Sequence, residues 1–215
     1  GLDQTPDLYS KLIVYAVPGA EEPWVRRMFL NEGFIAGFFP NGVAADLWAL
    51  YADDTRMDAP RDEEHDQIVA LATKEDTRTP DLPTGYSCRL AEPSDATELA
   101  NLLQNSFSEY PAPRSNERLG GAMVERAKFF RCVEDGEGRL VAAAAAELDL
   151  ERLAAEITDC ATDPEHRGQG LIAYILWCLE QDVAKLYGIN DVYTLARADD
   201  EGMNGVFSRL GYHYT

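Results

Sequence analysis

Lysine is nearly missing from this chain: 4 of its 215 residues are lysine against 15 arginines, and 38 carboxylates leave a formal charge of −19 at pH 7. A surface this negative argues against nucleic acid or an anionic membrane as partner. It permits a small cationic amine as substrate, although a solvated acidic surface of compositional origin, as salt adaptation produces, accounts for most of the charges more simply. Cysteine is sparse too. Cys88, Cys132, Cys160 and Cys178 are scattered without metal-ligand spacing, and the 3 histidines lack carboxylate–histidine spacing. No metal is therefore expected, and the thiols are expected to be reduced, as in the cytoplasm. No apolar run approaches the roughly 20 residues that cross a bilayer. The opening GLDQTPDLYSK has neither the basic start nor the apolar core of a signal peptide. A Walker loop is missing, and so is the three-glycine fingerprint of dinucleotide-binding turns.

What is present is bulk. Hydrophobic residues make up 46% of a chain long enough for a real core. Residues 11–17 (KLIVYAV) read as a strand. Residues 21–32 read as a helix with Trp24, Met28 and Phe29 on its apolar face and Gly33 as its stop. Residues 34–39 and 45–51 read as a hairpin through Pro40-Asn41-Gly42. A charged helix is expected over 61–73, and Pro80 and Pro83 mark a linker. From Tyr86 the pattern changes. A short strand over 86–90 precedes a helix opened by Glu92-Pro93-Ser94-Asp95, with Asp or Ser as its cap, and running through Gln104. A second helix is expected over 116–126. A hairpin follows over 129–134 and 139–148 through Asp135-Gly136-Glu137-Gly138, and then a strand over 154–162. Strands mixed with helices in this way make an α/β domain.

The chain is organised around residues 161–187. Arg167, Gly168, Gln169 and Gly170 form a tight turn. Leu171, Ile172, Ile175, Leu176, Leu179, Val183 and Leu186 then recur at helical spacing. A strand, a glycine turn and an amphipathic helix make an anion site, because the first N–H groups of a helix lack partners and carry the positive end of its dipole. Glycine lets a pyrophosphate come close, and Arg167 adds a full charge. One such turn is also an ordinary strand-to-helix connection. A second motif, Val206-Phe207-Ser208-Arg209-Leu210-Gly211-Tyr212, lies about 40 residues further on by the numbering. The segment 25–34 echoes 203–212 as helix, glycine, aromatic and strand, which suggests a half-copy of one fold at the N-terminus; chance similarity of two helix ends is the plain alternative.

Asp163-Pro164-Glu165-His166-Arg167-Gly168-Gln169-Gly170-Leu171 resembles the acetyl-CoA pyrophosphate loop of the GNAT acetyltransferases, and the Leu210-Gly211-Tyr212 turn resembles that family's closing motif. Arg167 and Gly170 match; Ile172 departs from the small residue the family places there. Residues 33–39, Tyr110-Pro111-Ala112-Pro113, 196–204 and 210–215 are further similar to the beta-lysine N-acetyltransferases, GNAT enzymes that make a compatible solute. The resemblance implies a mixed, mostly antiparallel sheet flanked by helices, an α/β (α+β) fold over 86–215 with a further strand beyond Thr215. It also implies a linker at 79–85 and a half-GNAT-like segment over 1–78. It implies acetyl-CoA as co-substrate, held by Cys160, Ala161, Thr162, Arg167, Gly168, Gln169, Gly170, Leu171, Asn204 and Phe207. Glu109, Tyr110 and Glu147 would line the amine pocket.

The reaction needs a base. An alkylammonium with a pKa near 10.4 is not nucleophilic at neutral pH until a carboxylate takes its proton. Glu156, Asp159 and Glu147 are the candidates. Strand alternation separates Glu156 from Asp159 unless a bulge intervenes, and Glu156 is the choice. The family's tyrosine for the leaving thiol is Phe207 here, so that role is open to Tyr193, Tyr212 or Tyr214, each of which also reads as a packing aromatic. His166 reads as an exposed neighbour of the turn.

Overall fold

Alanine fills the centre of the larger of two sheets: Ala142–Ala146 are five in a row and all fully enclosed. The computed structural model describes residues 10–52, 67–68, 70, 79–107, 120–121, 123 and 128–213. The chain divides into two units, Gly1–Gln67 with His213–Thr215, and Ile68–Tyr212.

The first unit holds β1 (Lys11–Ala16), α1 (Glu22–Val25), β2 (Leu30–Phe39) and β3 (Val43–Tyr51) in an antiparallel sheet of order β1-β3-β2. The hairpin turn Pro40–Gly42 forms as expected, with Asn41 at φ 69. The helix expected over 21–32 does not. It stops after one turn, and Met28, counted as apolar face, is 78% exposed at φ 63. That left-handed residue turns the chain so that Phe29 packs with Trp24 and Trp48, and Leu30 already pairs with Ala49. Gly33 therefore stops no helix; it sits at a register shift inside β2. The echo between 25–34 and 203–212 has no counterpart in local geometry, because Gly211 follows a full helix at φ 90 whereas Gly33 lies in a strand.

The second unit holds β4 (Ser87–Leu90), α2 (Ala96–Ser106), β5 (Lys128–Glu134), β6 (Leu140–Asp149), β7 (Ala154–Thr162), α3 (Leu171–Tyr187), β8 (Asp191–Thr194) and α4 (Glu201–Arg209). The sheet order is β4-β5-β6-β7-β8, antiparallel except for the β7–β8 pair. Leu99, Leu102 and Leu103 of α2 cover one face with Phe130, Ala143 and Ala145; Ile175, Leu176, Leu179 and Val183 of α3 cover the other with Ala142, Ala144 and Ile157. With no side chain beyond Cβ at Ala142–Ala146 in the middle of the central strand, both helices can press against the sheet. Each fully buried Leu or Ile contributes about 1.5–3 kcal/mol. Leu186 is the exception in the α3 stripe, being 61% exposed in the last turn. Gly188 at φ 68 closes that helix, its N–H donating to Ala184 O at 3.1 Å.

The entry to α2 departs from expectation in detail. Asp95 does stand at the N-cap position of α2, but its side chain makes no bond to that helix; the chain enters through a 3₁₀ turn at Pro93–Asp95 in which the Asp95 carboxylate accepts from the Glu92 N–H at 2.7 Å. The expected helices over 61–73 and 116–126 fall mostly outside the described residues; the residues described there, Gln67, Ile68, Ala70, Gly120, Gly121 and Met123, are helical.

Candidate active site at the glycine turn

The turn before α3 is built by two left-handed glycines, Gly168 at φ 75 and Gly170 at φ 78. A Cβ at either would meet nothing within 4 Å, so the demand for glycine is conformational and the space in front of the turn is open. Asp163 shapes the approach by accepting from the Glu165 N–H at 2.9 Å. The Arg167 Nε donates to Thr162 O at 3.2 Å, which folds the arginine back over the end of β7. No side chain caps α3, so its first N–H groups open onto the solvent side of the turn.

These groups border a cavity of about 760 Å³, lined by the ends of α2 and β7, the turn, the start of α3, and α4 with the segment before it. Cys160, Ala161, Thr162, Arg167, Gly168, Gln169, Gly170 and Leu171 are all on its wall. Asn204 and Phe207 are not. Asn204 is buried and its Nδ2 donates to Arg197 O at 2.7 Å and Asp200 O at 2.8 Å, so it holds the loop before α4 rather than facing the cavity. Phe207 packs on Tyr212 with ring centroids 5.2 Å apart, inside the core under α3. Glu109, Tyr110 and Tyr214 lie outside the described residues. Ile172, the departure from the family pattern, is 8% exposed and turned into the same core.

Some wall residues escaped sequence reasoning. His166 is half-buried rather than exposed: its Nδ1 stands 2.9 Å from the Tyr86 hydroxyl, which donates to Gln169 Oε1 at 3.1 Å. Tyr86 thus pins the turn from the strand side. Arg197 and Arg209 add two cations to the wall, beside Asp199, Asp200 and Glu201. Their signal in sequence was only their nearness to the closing motif. Burial pushes the Cys160 thiol up to about 12, with Asp159 adding to it. A thiol held protonated is a poor nucleophile.

Beyond Ile157 the β7–β8 pairing ends, marked by Thr194 Oγ1 donating to Ile157 O at 2.9 Å, while β7 runs on to Thr162. The β6–β7 register skips here: Ala145 faces Thr158 and Ala143 faces Ala161, which leaves Asp159 and Cys160 opposite one residue. Asp159 adopts φ 56, a conformation aspartate tolerates better than most side chains. The bulge overturns simple alternation. Lys128, Glu147 and Glu156 form one row across β5, β6 and β7, and Lys128 Nζ reaches Asp159 Oδ2 at 3.0 Å and Glu147 Oε2 at 3.1 Å. Glu156 and Asp159 therefore share a side with Glu147. Burial pushes the Glu156 carboxyl above its usual range; Glu147 adds to this, Lys128 opposes it and Asp159 adds a little more. None of these acids is on the cavity wall itself; Glu156 lies four residues, about 13 Å, before Cys160 along the strand.

Tyr193 is the β8 partner of Glu156 in register. Tyr212 is directed into the core against Glu180 of α3, and burial pushes its phenol far up. Among the described residues no group of three or more His, Cys, Asp or Glu is arranged to hold a metal ion, and no helix is long and apolar enough to cross a membrane.

The β7–β8 pairing ends beside an uncapped glycine turn in a mixed α/β sheet, and sequence comparison supplies the class. The profile of the Acetyltransferase (GNAT) family matches residues 96–212, more than half of the chain. The chain belongs to that family, and it is an acetyl-CoA-dependent N-acetyltransferase. It is 31% identical over 205 residues to the N-acetyltransferase YodP of Bacillus subtilis (strain 168), covering 95% of this chain and 74% of that protein. It is 29% identical to the Beta-lysine N(6)-acetyltransferase of Methanosarcina mazei, covering 96% of this chain and 83% of that one. Among solved structures, an aminoglycoside acetyltransferase from an uncultured soil metagenomic sample superposes with a TM-score of 0.53 at 15% identity, over 63% of this chain and 99% of that one, which shows the shared fold.

Proposed function

We propose that this enzyme acetylates the terminal amine of a small diamino acid, with beta-lysine as the favoured substrate. The observation that carries the reading is the row of carboxylates, Glu147, Glu156 and Asp159, gathered by the β7 bulge on one side of the sheet with a single lysine among them. Three acids against one base leave a negative site, which suits an ammonium substrate. The relatives named as beta-lysine N(6)-acetyltransferases support the same choice.

The residues at the turn fit the coenzyme. The open space before Gly168 and Gly170, the uncapped start of α3, and Arg167 are suited to a diphosphate. Bound acetyl-CoA supplies an acyl group activated as a thioester, whose thiol, with a pKa near 8.5, leaves readily as the thiolate. In this reading Glu156 takes the proton from the substrate ammonium, directly or through water, and its raised proton affinity suits that task. Phe207 has no hydroxyl to offer and Tyr212 faces the core, so neither supplies a proton to the departing thiolate.

The test is thiol release with acetyl-CoA and a panel of beta-lysine, lysine, linear diamines and a lysine-containing peptide. We expect kcat/KM for beta-lysine to exceed that for the peptide by at least about tenfold, since a fully paired polar group discriminates by orders of magnitude. Equal or better use of the peptide would replace the small-amine reading with a protein substrate.

A further inference from the structure

Only 4 lysines occur in the chain, and one of them, Lys128, has a side chain just 13% exposed. Desolvating an ammonium costs several kcal/mol unless it is paired, so its position calls for a reason. Lys128 stands at the start of β5 opposite Glu147, and Glu147 stands opposite Glu156. To reach Asp159 on β7 the lysine stem crosses β6, where Ala145 on the same face presents only a methyl group. The bulge completes the arrangement by turning Asp159, whose side chain is 0% exposed, toward the ammonium.

We infer that Lys128 is a positioning residue that sets the proton affinity of Glu156, by neutralising Asp159 and Glu147 on either side of it. The inference rests on Glu156 being the base. Without the ammonium the two neighbouring negative charges would favour a proton on Glu156, which would then meet the substrate already protonated. Among the described residues, the groups placed about Glu156 are Lys128 from β5, Glu147 from β6, Asp159 from its own strand and Tyr193 from β8. Burial and Glu147 push the Glu156 carboxyl up and Lys128 draws it down. Burial and Glu147 thereby keep the proton affinity of the base high, and the lysine keeps the carboxylate free to accept the proton.

The signature is a pair of opposite shifts, which loss of packing alone would not produce. The acid limb of the kcat/KM–pH profile should move up by about one unit in Lys128→Gln, making it about tenfold slower at a pH below the wild-type limb. The limb should move down in Glu147→Gln, and Lys128→Arg should keep the wild-type profile. Glu147 is 57% exposed in its side chain, so its variant folds even if Lys128→Gln does not, and absence of a downward shift there overturns the inference by itself. Limbs that stay put or move the same way in both variants also overturn it. Glu156→Gln separates the two layers: full activity removes the base assignment, whereas lost activity with unmoved limbs in the other variants removes only the role of Lys128.

Discussion

Two helices of the second unit begin in opposite ways. The entry to α2 is sealed: Asp95 accepts from the Glu92 N–H and from both Arg89 Nη1 at 2.6 Å and Nη2 at 3.0 Å, and Arg89 also holds Glu134. The entry to α3 carries no side-chain cap, and the glycines in front of it leave the approach empty. The first entry is closed by a capping box of the protein's own carboxylates, Glu92 and Asp95, and the second has no such partner. α4 sides with α2, since Asp200 Oδ1 accepts from the Met203 N–H at 2.9 Å. Of these three entries only that of α3 has neither a capping box before it nor a side-chain cap, and it is the one at the glycine turn.

The strongest way to break the contrast is to make α3 resemble α2. Gly170→Asp puts a carboxylate at the bare entry and demands a left-handed conformation from a substituted residue. We expect acetyl-CoA affinity to fall about a hundredfold, or about 2.7 kcal/mol, by calorimetry. Unchanged affinity would mean that the turn does not hold the diphosphate. The reverse change is Asp95→Ala, which should cost about 1 kcal/mol in urea unfolding while acetyl-CoA affinity stays as in wild type. The same residue predicts a pH dependence. Arg89 holds the Asp95 carboxyl below its usual range, so its contribution is complete above the unfolded value near 3.9 and is lost as pH falls through the folded one. Asp95→Asn should therefore remove part of the acid-side fall in the urea midpoint. The smallest effect is expected from Tyr86→Phe, which frees His166 and Gln169 without touching the glycines. A two- to threefold weaker affinity, about 0.5 kcal/mol, would sharpen the comparison by separating the turn's shape from its support.

The stretch 154–187 was legible because its signals are local. β7, the two glycines and the long 3.6-residue stripe of α3 fall where they were read, and the eight called residues in 160–171 share one cavity wall. The failures came where a distant partner decides. Trp24, Met28 and Phe29 fit a helical face, yet Phe29 is claimed by Trp48 and the helix ends. Asn204, from the stretch 196–204, and Phe207, from the closing motif, here serve the loop before α4 and the core under α3. The bulge at Asp159 had no signature in its own strand. It depends on how β6 pairs, and it reverses the alternation that would have set Asp159 apart from Glu156.

The run of alanines on β6 has a consequence for the cavity far from where it lies. A strand with no bulk is a spacer of minimum thickness, and α3 rests on it through Ala142, Ala144 and Ala146. An extra methyl group at Ala144 has no gap to enter, so the rod above it must tilt or lift. Because that rod starts at the glycine turn, its displacement is carried to the place where the diphosphate would sit. The dimension of the proposed coenzyme site is thus written partly in residues that line no part of the cavity.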